Sequence, residues 1–422
     1  MSSSLKSDLL KFLNDSPVPY FFCEKMRETL EKEGFTELSI FDKWEDTPKK
    51  GFVINDNRAL VAFNIGGYDS AIIVGTHSDS PCLKIRDKPD INNKKLKQVQ
   101  VFTYGGGLWY TWLGRDLRLV GTVTIRNNNA SQNEKNKKLI QINFDSKDPI
   151  AFVPNCDIGS KPNPNLDTGL IPIIGGRKSP TLLSYVAKSL KVNEEDIVDW
   201  DLSFVDANPP QSWRTFIESQ RIDNLSSTFC AVKAFLQSEP KNTINILVVF
   251  DNEEVGSQSR FGACGDILSF VIKRLVKGGP KQLNPFIAKS LLVSSDNSHA
   301  IHPNFSSKHD KMHSPYLGKG VIIKKAPGAT YATDMTSTYP VKHAANKCKI
   351  PLQYFMNRND IPAGSTIGPI VSSLIGIPTV DIGLPQLSMH SVRETMAFKD
   401  VEHLINLLIE LYNNYEEHRL IL

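Results

Sequence analysis

Short, almost uninterrupted apolar runs recur along the chain, and they predict buried strands. The runs occupy residues 71–75, 244–250, 290–295, 351–355 and 377–383. Helical patterns, such as SSTFCAVKAFLQ and VEHLINLLIELYNNY, lie between or after them. Strands that are apolar at nearly every position are typical of a mostly parallel sheet that helices cover on both faces. The pattern therefore predicts an α/β fold.

The stretch from about residue 82 to residue 208 has a different pattern. Apolar and polar positions alternate there in the manner of antiparallel strands, and polar loops separate the segments. The alternating segments are QVQVFTY, RLVGTVTIR and LIQINF. A chain of 422 residues is also longer than one ordinary core supports. We therefore predict a β-rich domain at residues 82–208, inserted into an α/β domain formed by residues 1–81 and 209–422.

Composition argues against several classes of function but does not identify a binding partner. The 49 basic and 45 acidic residues leave a net charge of only +4, and no long basic block forms a nucleic-acid-binding stripe. The first residues lack the apolar stretch of a secretory signal, and no apolar run approaches the length of a membrane span. The six cysteines form no C-x-x-C pair. We expect a cytoplasmic protein that binds neither nucleic acid nor membrane, and whose metal ligands, if any, are histidines and carboxylates.

Histidines and carboxylates follow the ends of the predicted strands. They are His77 and Asp79 after the first run, Glu253 and Glu254 after the second, Asp296, His299 and His302 after the third, and His390 after the last. Asp223 opens a predicted helix. Each motif alone is weak, because a buried histidine, a helix N-cap or an exposed loop would explain it. In open α/β sheets, however, sites form outside the carboxyl ends of the strands, so the joint placement favours one common site.

Two divalent metal ions fit this set of side chains. Two zinc ions need about three protein ligands each and a shared water, and one carboxylate can bridge both ions. Such cations would also remove the repulsion between the adjacent Glu253 and Glu254. One glutamate can bind metal while its neighbour accepts a proton from the attacking water. Asp79 can accept the second imidazole N–H of His77. The residues alone do not say which glutamate has which role.

A series of stretches resembles, in order, the motifs of the aspartyl aminopeptidases, which are co-catalytic dizinc metallopeptidases. The stretches are THSDSP, RIDNLSS, FDNEEVGSQS, SSDNSHAIHPN, LGKGVIIK, NRNDIPAGSTIGPI and GLPQLSMHSVRE. The resemblance covers essentially the whole chain, including the inserted domain. It implies a hydrolase that removes N-terminal residues, aspartate or glutamate above all, from peptides with a free amino terminus. It also implies a homo-oligomer, expected to be a dodecamer, with the inserted domain serving oligomerisation.

The resemblance implies a role for each candidate residue. One zinc ion would be held by His77, Asp223 and Asp296, and the other by Asp223, Glu254 and His390, so that Asp223 bridges the two. Glu253 would be the general base, and Asp79 would orient His77. Manganese and cobalt are the expected substitutes for zinc. Asp334 is an acidic rival for the role of Asp296, but the string D-x-x-H-A-x-H-P-N matches the family motif at Asp296.

Substrate selection in the resembled family uses a basic pocket for an acidic N-terminal side chain. His299 and Lys324 fall on the matching positions, and a lysine ammonium would favour an aspartate or glutamate side chain. The plainer interpretation of Lys324 is a surface lysine beside Lys325. Three alternatives stay open: an aminopeptidase that prefers neutral residues, a dizinc carboxypeptidase or deacylase, and a scaffold or binding protein with weakened catalysis.

One departure from the family pattern lies in the inserted domain. Family members carry a histidine there, in a string like I-P-x-L-A-x-H, that reaches the active site of a neighbouring subunit. The corresponding stretch here is FVPNCDIGS, which places Gly159 at that position, and the chain has no histidine between His77 and His299. The cross-subunit contribution is therefore absent or made by another type of residue.

Overall fold

A computed structural model describes residues 3–127, 139–155 and 163–419, which form two compact units. The first unit contains Met1–Asp79, Pro210–Met389 and Glu394–Leu422. The second contains Ser80–Pro209 and His390–Arg393. Gly159, where the family histidine is expected, lies outside the described residues.

The helices and strands are numbered in chain order. The helices are α1 (Ser3–Asp15), α2 (Pro19–Lys32), α3 (Leu182–Leu190), α4 (Ile222–Gln237), α5 (Ile267–Leu275), α6 (Pro280–Lys289), α7 (Met335–Lys347), α8 (Ile367–Ile375) and α9 (Phe398–His418). The strands are β1 (Thr36–Glu37), β2 (Lys50–Asn55), β3 (Ala59–Ile65), β4 (Ser70–His77), β5 (Cys82–Asn93), β6 (Leu96–Tyr104), β7 (Asp116–Arg126), β8 (Leu139–Asp145), β9 (Ala151–Phe152), β10 (Ile173–Gly176), β11 (Ile197–Asp206), β12 (Gln211–Trp213), β13 (Phe216–Ser219), β14 (Thr243–Phe250), β15 (Leu291–Ser295), β16 (Ser298–His299), β17 (Val321–Lys324), β18 (Leu352–Phe355), β19 (Thr379–Gly383), β20 (Pro385–Leu387) and β21 (Glu394–Ala397). Within the described residues, no helix combines the length and the apolar character needed to cross a lipid bilayer.

The first unit is built on a nine-stranded sheet with the order β1-β2-β3-β14-β4-β15-β19-β17-β18. The four strands β14, β4, β15 and β19 are parallel to one another. The pairs β2–β3, β3–β14 and β17–β19 are antiparallel. The predicted α/β class is confirmed, and the sheet as a whole is mixed rather than uniformly parallel. A smaller sheet in this unit, with the order β12-β13-β21-β20-β16, was not predicted from the pattern.

Two apolar cores explain why the central strands are apolar at nearly every position. Leu60 and Ala62 of β3 belong to one core, together with residues of α4 and α9. Their neighbours Val61 and Phe63 belong to a second core, together with residues of α5 and α8. Successive side chains of a strand point to opposite faces of the sheet. Both faces of β3 are therefore buried in apolar cores, so side chains on both faces are apolar at nearly every position.

The second unit is a β-rich structure, as the alternating pattern predicts. Its seven strands have the order β11-β5-β6-β10-β9-β7-β8, and an additional pairing of β11 with β7 closes six of them into a ring. The pairings are antiparallel, and β7 pairs with β11 over Ile197–Asp206 of the latter. The core of this unit contains Trp112, Leu119 and Phe204. An inserted β domain is therefore confirmed.

Candidate metal centre

The carboxyl ends of the parallel strands bring the predicted site residues of the first unit together. His77 is the last residue of β4 and lies opposite Phe250, the last residue of the parallel strand β14. Glu253 and Glu254 follow β14 by a few residues, and Asp296 follows β15 directly. The His77 side chain is only 1% exposed. The predicted convergence at one edge of the sheet is therefore present for three strands.

Asp223 reaches this edge through an interruption of helix α4. Asp223 and Asn224 have non-helical backbone angles within the first turn, and no side chain caps the helix N-terminus, where the N-cap position is Arg221. The backbone N–H of Asp223 donates to Oε2 of Glu394 at 3.0 Å, and the Asn224 amide donates to the carbonyl oxygen of Ser295 at 2.8 Å. Asp223 is therefore not a helix cap, because this backbone path leaves its carboxylate facing His77.

The buried side chains around His77 form a compact group of ligand atoms. The Nε2 atom of His77 lies 3.5 Å from Oδ1 of Asp223, 3.9 Å from Oδ1 of Asp296 and 3.9 Å from Oε2 of Glu253. His77, Asp223 and Asp296 each offer one ligand atom, and these atoms lie within 4.8 Å of one another. Carboxylate oxygens of Asp223 and Glu254 also lie within 4.8 Å of each other. One imidazole and several carboxylates are donors that suit zinc, so the residues present fit the metal.

Asp79 connects the imidazole of His77 to the turn that carries both glutamates. Its Oδ1 lies 3.3 Å from Nδ1 of His77. Its two carboxylate oxygens also accept the backbone N–H groups of Glu253 and Glu254, each at 3.1 Å. The backbone carbonyl oxygen of Asp79 also lies 3.2 Å from Nδ1. A proton on Nδ1 is thus held by Asp79, which leaves Nε2 as the ring nitrogen that would bind a metal ion among the carboxylates. One aspartate sets both the tautomer of the histidine and the position of the glutamate turn.

Comparison with known proteins identifies the family. The family model described as aminopeptidase I zinc metalloprotease (M18) matches residues 12–412. The chain belongs to this family. It is therefore a zinc metallo-aminopeptidase, which confirms the family and the enzyme class predicted from the motifs.

Individual members of the M18 family match the chain over nearly its whole length. An aspartyl aminopeptidase of Caenorhabditis elegans is 36% identical over 435 residues, which cover 92% of this chain and 90% of the relative. A chain in the cryo-EM structure of the Ape4 and Nbr1 complex is 33% identical with a TM-score of 0.92, and the match covers 99% of this chain and 88% of that one. The S. cerevisiae mApe1 dodecamer has a TM-score of 0.87 at 24% identity over 98% of this chain and 97% of that one, which shows a shared fold.

The electrostatics of the M18 site are dominated by buried carboxylates. Burial by itself would lower the pKa of His77, but the charge of Glu253 and the hydrogen bonds to the surrounding aspartates raise it well above its ordinary value. Burial raises the pKa of Glu253 to about 8, the negative charges of Asp296, Asp79 and Asp223 act in the same direction, and the charge of His77 acts against them. These carboxylates repel one another, so a divalent cation among them would be strongly favoured.

Lys324 is a buried residue rather than a surface lysine. Its side chain is 3% exposed, its Nζ lies 3.6 Å from Oδ2 of Asp296, and it lies over the ring of Tyr331 at 5.5 Å from the centroid. Burial lowers the pKa of Lys324, but Asp296 and other acidic groups raise it above its ordinary value, so the ammonium stays charged. Lysine is almost never fully buried unless it is paired, and the partner of Lys324 is one of the proposed metal ligands.

Three further candidates have different surroundings. His299 is exposed on β16, and its ring lies 6.5 Å from that of Phe355. His390 is grouped with the second unit, where its Nδ1 lies 3.1 Å from the carbonyl oxygen of Gly106. Asp334 is an exposed N-cap of α7 that forms a capping box with Ser337. Asp334 thus has an ordinary structural role, which removes it as a rival of Asp296.

Sequence reasoning missed several residues that fix the ligands in place. Glu394 accepts the N–H of Asp223, and the Thr228 hydroxyl donates to the carbonyl oxygen of His77 at 2.8 Å. The Asn297 amide donates to the carbonyl oxygen of Ile222 at 2.9 Å, which ties the loop after β15 to the start of α4. Glu394 stands in the motif SVRE, four residues after His390, and Asn297 directly follows Asp296. Closeness in sequence to a predicted metal ligand is therefore the signal that could have identified both residues.

Metal removal should make the stability of this M18 protein fall as pH rises. The pKa of Glu253 is 4.5 ordinarily and about 8 in the folded chain. Between these pH values the folded state holds a proton that the unfolded state has lost, so the free energy of unfolding decreases with rising pH. The raised pKa of His77 acts with the same sign above pH 6.5. Thermal unfolding of chelator-treated protein across this range measures the effect.

The Glu253→Gln variant is the control for that pH dependence. It cannot ionise at this position, so its unfolding temperature after chelation should fall less steeply than that of the unaltered chain. Equal slopes for the two proteins would contradict the assignment of the raised pKa to Glu253.

Proposed function

We propose that the chain hydrolyses the first peptide bond of peptides whose N-terminal residue is aspartate or glutamate, using two zinc ions. The observation that carries this proposal is the buried group formed by His77, Asp223 and Asp296, with Glu253 beside it. The name of the C. elegans relative, aspartyl aminopeptidase, supports the acidic preference.

The ligands of the two ions are proposed from the donor set together with the family motifs. His77, Asp223 and Asp296 would hold one ion, and Asp223, Glu254 and His390 the other. When bound, such ions lower the pKa of a water molecule and stabilise negative charge on a carbonyl oxygen. Manganese and cobalt also accept oxygen and imidazole ligands and are expected to substitute for zinc.

The chain's own residues would move the proton and orient the ligands. Glu253 would take a proton from the attacking water and deliver it to the leaving amine, acting first as base and then as acid. Asp79 would hold the proton on Nδ1 of His77. By accepting the N–H groups of Glu253 and Glu254, it would also fix the position of the base relative to the metal ligands.

Lys324 is the proposed determinant of the acidic preference. Its ammonium lies beside Asp296, so an acidic side chain on a substrate bound at the metal centre would meet a positive charge close to the reacting bond. His299, which follows Asp296 by three residues, would provide a second polar contact at the same pocket.

Replacing Lys324 by methionine should change substrate preference more than overall activity. We expect the ratio of kcat/KM for a glutamyl substrate to that for a leucyl substrate to fall by about 10- to 100-fold, since a charged hydrogen bond is worth roughly 1.5–3 kcal/mol. Lys325→Met, one residue away and only partly buried, is the matched control and should leave the ratio unchanged. An unaltered ratio in Lys324→Met would remove Lys324 from the specificity pocket.

A homo-oligomer is also proposed, with the second unit serving assembly. The fold shared with the mApe1 dodecamer supports a dodecamer. Light scattering that gives the monomer mass alone would contradict it.

A substrate panel tests the proposed reaction itself. Aspartyl, glutamyl, leucyl and lysyl substrates are assayed with zinc, manganese and cobalt, and the glutamyl peptide is assayed again after N-terminal acetylation. We expect the acidic substrates to be cleaved fastest and acetylation to abolish cleavage. Cleavage that survives acetylation would favour a carboxypeptidase or deacylase, and a leucyl preference would favour a neutral aminopeptidase.

A further inference from the structure

The turn that carries the two glutamates begins with Asp251 and Asn252, which belong to neither the proposed ligands nor the proposed base. Asp251 is buried, with a side chain 3% exposed, and its Oδ2 lies 2.5 Å from Nε of Arg58. A second nitrogen of the same guanidinium, Nη2, donates to Oδ1 of Asn252 at 3.2 Å. One arginine, 193 residues away in the chain, therefore holds two consecutive residues directly before Glu253.

The arginine is itself held in a defined position. Arg58 is the last residue of the tight turn between β2 and β3, in which Asp56 and Asn57 both have positive φ. Its guanidinium lies 4.4 Å from the ring centroid of Phe261 and 5.9 Å from that of Tyr20, and its side chain is 19% exposed. Stacking on aromatic faces and a planar set of donors limit the orientations of a guanidinium. Arg58 thus provides a fixed anchor outside the turn.

Asn252 is the residue at which the backbone changes direction. It has a left-handed conformation with φ of 62°. Its N–H is accepted by Oδ1 of Asp251 at 2.6 Å, and its Oδ1 also accepts the hydroxyl of Ser259 at 2.9 Å. Its carbonyl oxygen accepts the N–H of Ser257 at 2.8 Å, which closes the turn around the glutamates. The direction in which Glu253 leaves this turn depends on how Asn252 is held.

We infer that Arg58 and Asp251 are positioning residues for Glu253. Asp79 holds the N–H groups of Glu253 and Glu254, while Arg58 and Asp251 hold the residue that precedes them. The hydrogen bonds from Ser257 and Ser259 close the turn on itself, whereas Asp79 and Arg58 fix its position and orientation from outside. A misplacement of about 1 Å in a reacting group can cost on the order of 100-fold in rate. The inference rests on the proposed role of Glu253 as general base.

A purely structural role is the competing explanation of this ion pair. Desolvation largely offsets the attraction within a buried ion pair, so such a pair is weak evidence for a contribution to stability. The two explanations differ in what they predict for kcat. A structural role lowers the unfolding temperature and the yield of folded protein, but it leaves kcat per folded, metal-loaded molecule unchanged.

Single substitutions in the zinc-loaded enzyme separate these explanations. Arg58→Met and Asp251→Asn should lower kcat by about 10- to 100-fold, with KM for the glutamyl substrate within about twofold and the bound zinc unchanged by mass spectrometry. Arg58→Lys keeps the charge but not the fork of donors, so it should recover part of the loss. Arg260→Met is the matched control, because Arg260 lies over the same Phe261 ring but pairs with the exposed Asp56. The control should keep its kcat.

The same substitutions in a Glu253→Gln background decide whether the pair acts through the glutamate. Because this background has no base to position, adding Arg58→Met should not lower kcat any further. A full additional loss would overturn the inference while leaving the role of Glu253 intact. An unchanged kcat in Arg58→Met and Asp251→Asn, with a lowered unfolding temperature, would also overturn it. The proposed function fails by a different result, namely a Glu253→Gln enzyme that keeps its kcat. If Arg58→Met does not fold, Arg58→Lys and Asp251→Asn give the same comparison.

Discussion

Glu253→Gln is expected to lower kcat by about 10²- to 10⁴-fold, the range that general acid–base catalysis contributes. The side chain keeps its shape but can no longer accept a proton. The backbone N–H groups of residues 253 and 254 remain bound to Asp79, so the turn and the zinc content should be preserved. KM should change little, because the lost interaction belongs to the transition state. Steady-state kinetics combined with metal analysis measure all three quantities.

Glu254→Gln is the matched control for this prediction, since it alters the adjacent carboxylate by the same single change. It should lose bound metal, and its activity should recover in part when zinc is added in excess, whereas Glu253→Gln should not recover. A Glu253→Gln enzyme with near-normal kcat would exclude Glu253 as the base. A metal loss in Glu253→Gln and not in Glu254→Gln would show that the two roles are reversed.

Asp223→Ala is expected to lower both the bound zinc and the activity. Its carboxylate lies 3.5 Å from Nε2 of His77 and within 4.8 Å of ligand atoms of Asp296 and Glu254. A residue shared by two metal ions affects both when it is removed, so we expect bound zinc to fall to less than half and activity to fall by about 10³-fold or more.

Asp334→Ala provides the comparison for that variant. It removes the N-cap of α7, which typically costs about 1 kcal/mol of stability, but it should leave the zinc content and kcat unchanged. If Asp223→Ala retained a full complement of zinc, Asp223 would not be the bridging ligand.

The sequence was most informative where the fold is simplest. The apolar runs predicted β4, β14, β15 and β19 because these strands are buried on both faces, and the apolar pattern follows directly from that burial. The run at 351–355 also predicted a strand, β18, although β18 is an edge strand in which only Phe355 is buried. The hairpin of β2 and β3 was not predicted. Its signal is the turn at Asp56 and Asn57, whose positive φ values suit a hairpin. The antiparallel pairing of this hairpin is one reason why the sheet is mixed.

The sequence predicted the side chains that form the candidate site, but not the residues that hold those side chains in place. The rule that sites form beyond the carboxyl ends of parallel strands was enough to group His77, Glu253 and Asp296. The interruption of α4 at Asp223 and the contact of Arg58 with Asp251 depend on residues far apart in the chain. No local pattern encodes such contacts. For the same reason the sequence could not show whether Lys324 is exposed or, as the structure has it, buried.

Diffraction at the zinc absorption edge from crystals of the zinc-loaded protein tests the central claim most directly. The proposal predicts two anomalous peaks in each chain, about 3.5–4 Å apart, both at coordination distance from the carboxylate of Asp223. His77 and Asp296 should be ligands of one peak, and Glu254 of the other. A single peak, or peaks without Asp223 among their ligands, would contradict the dizinc site.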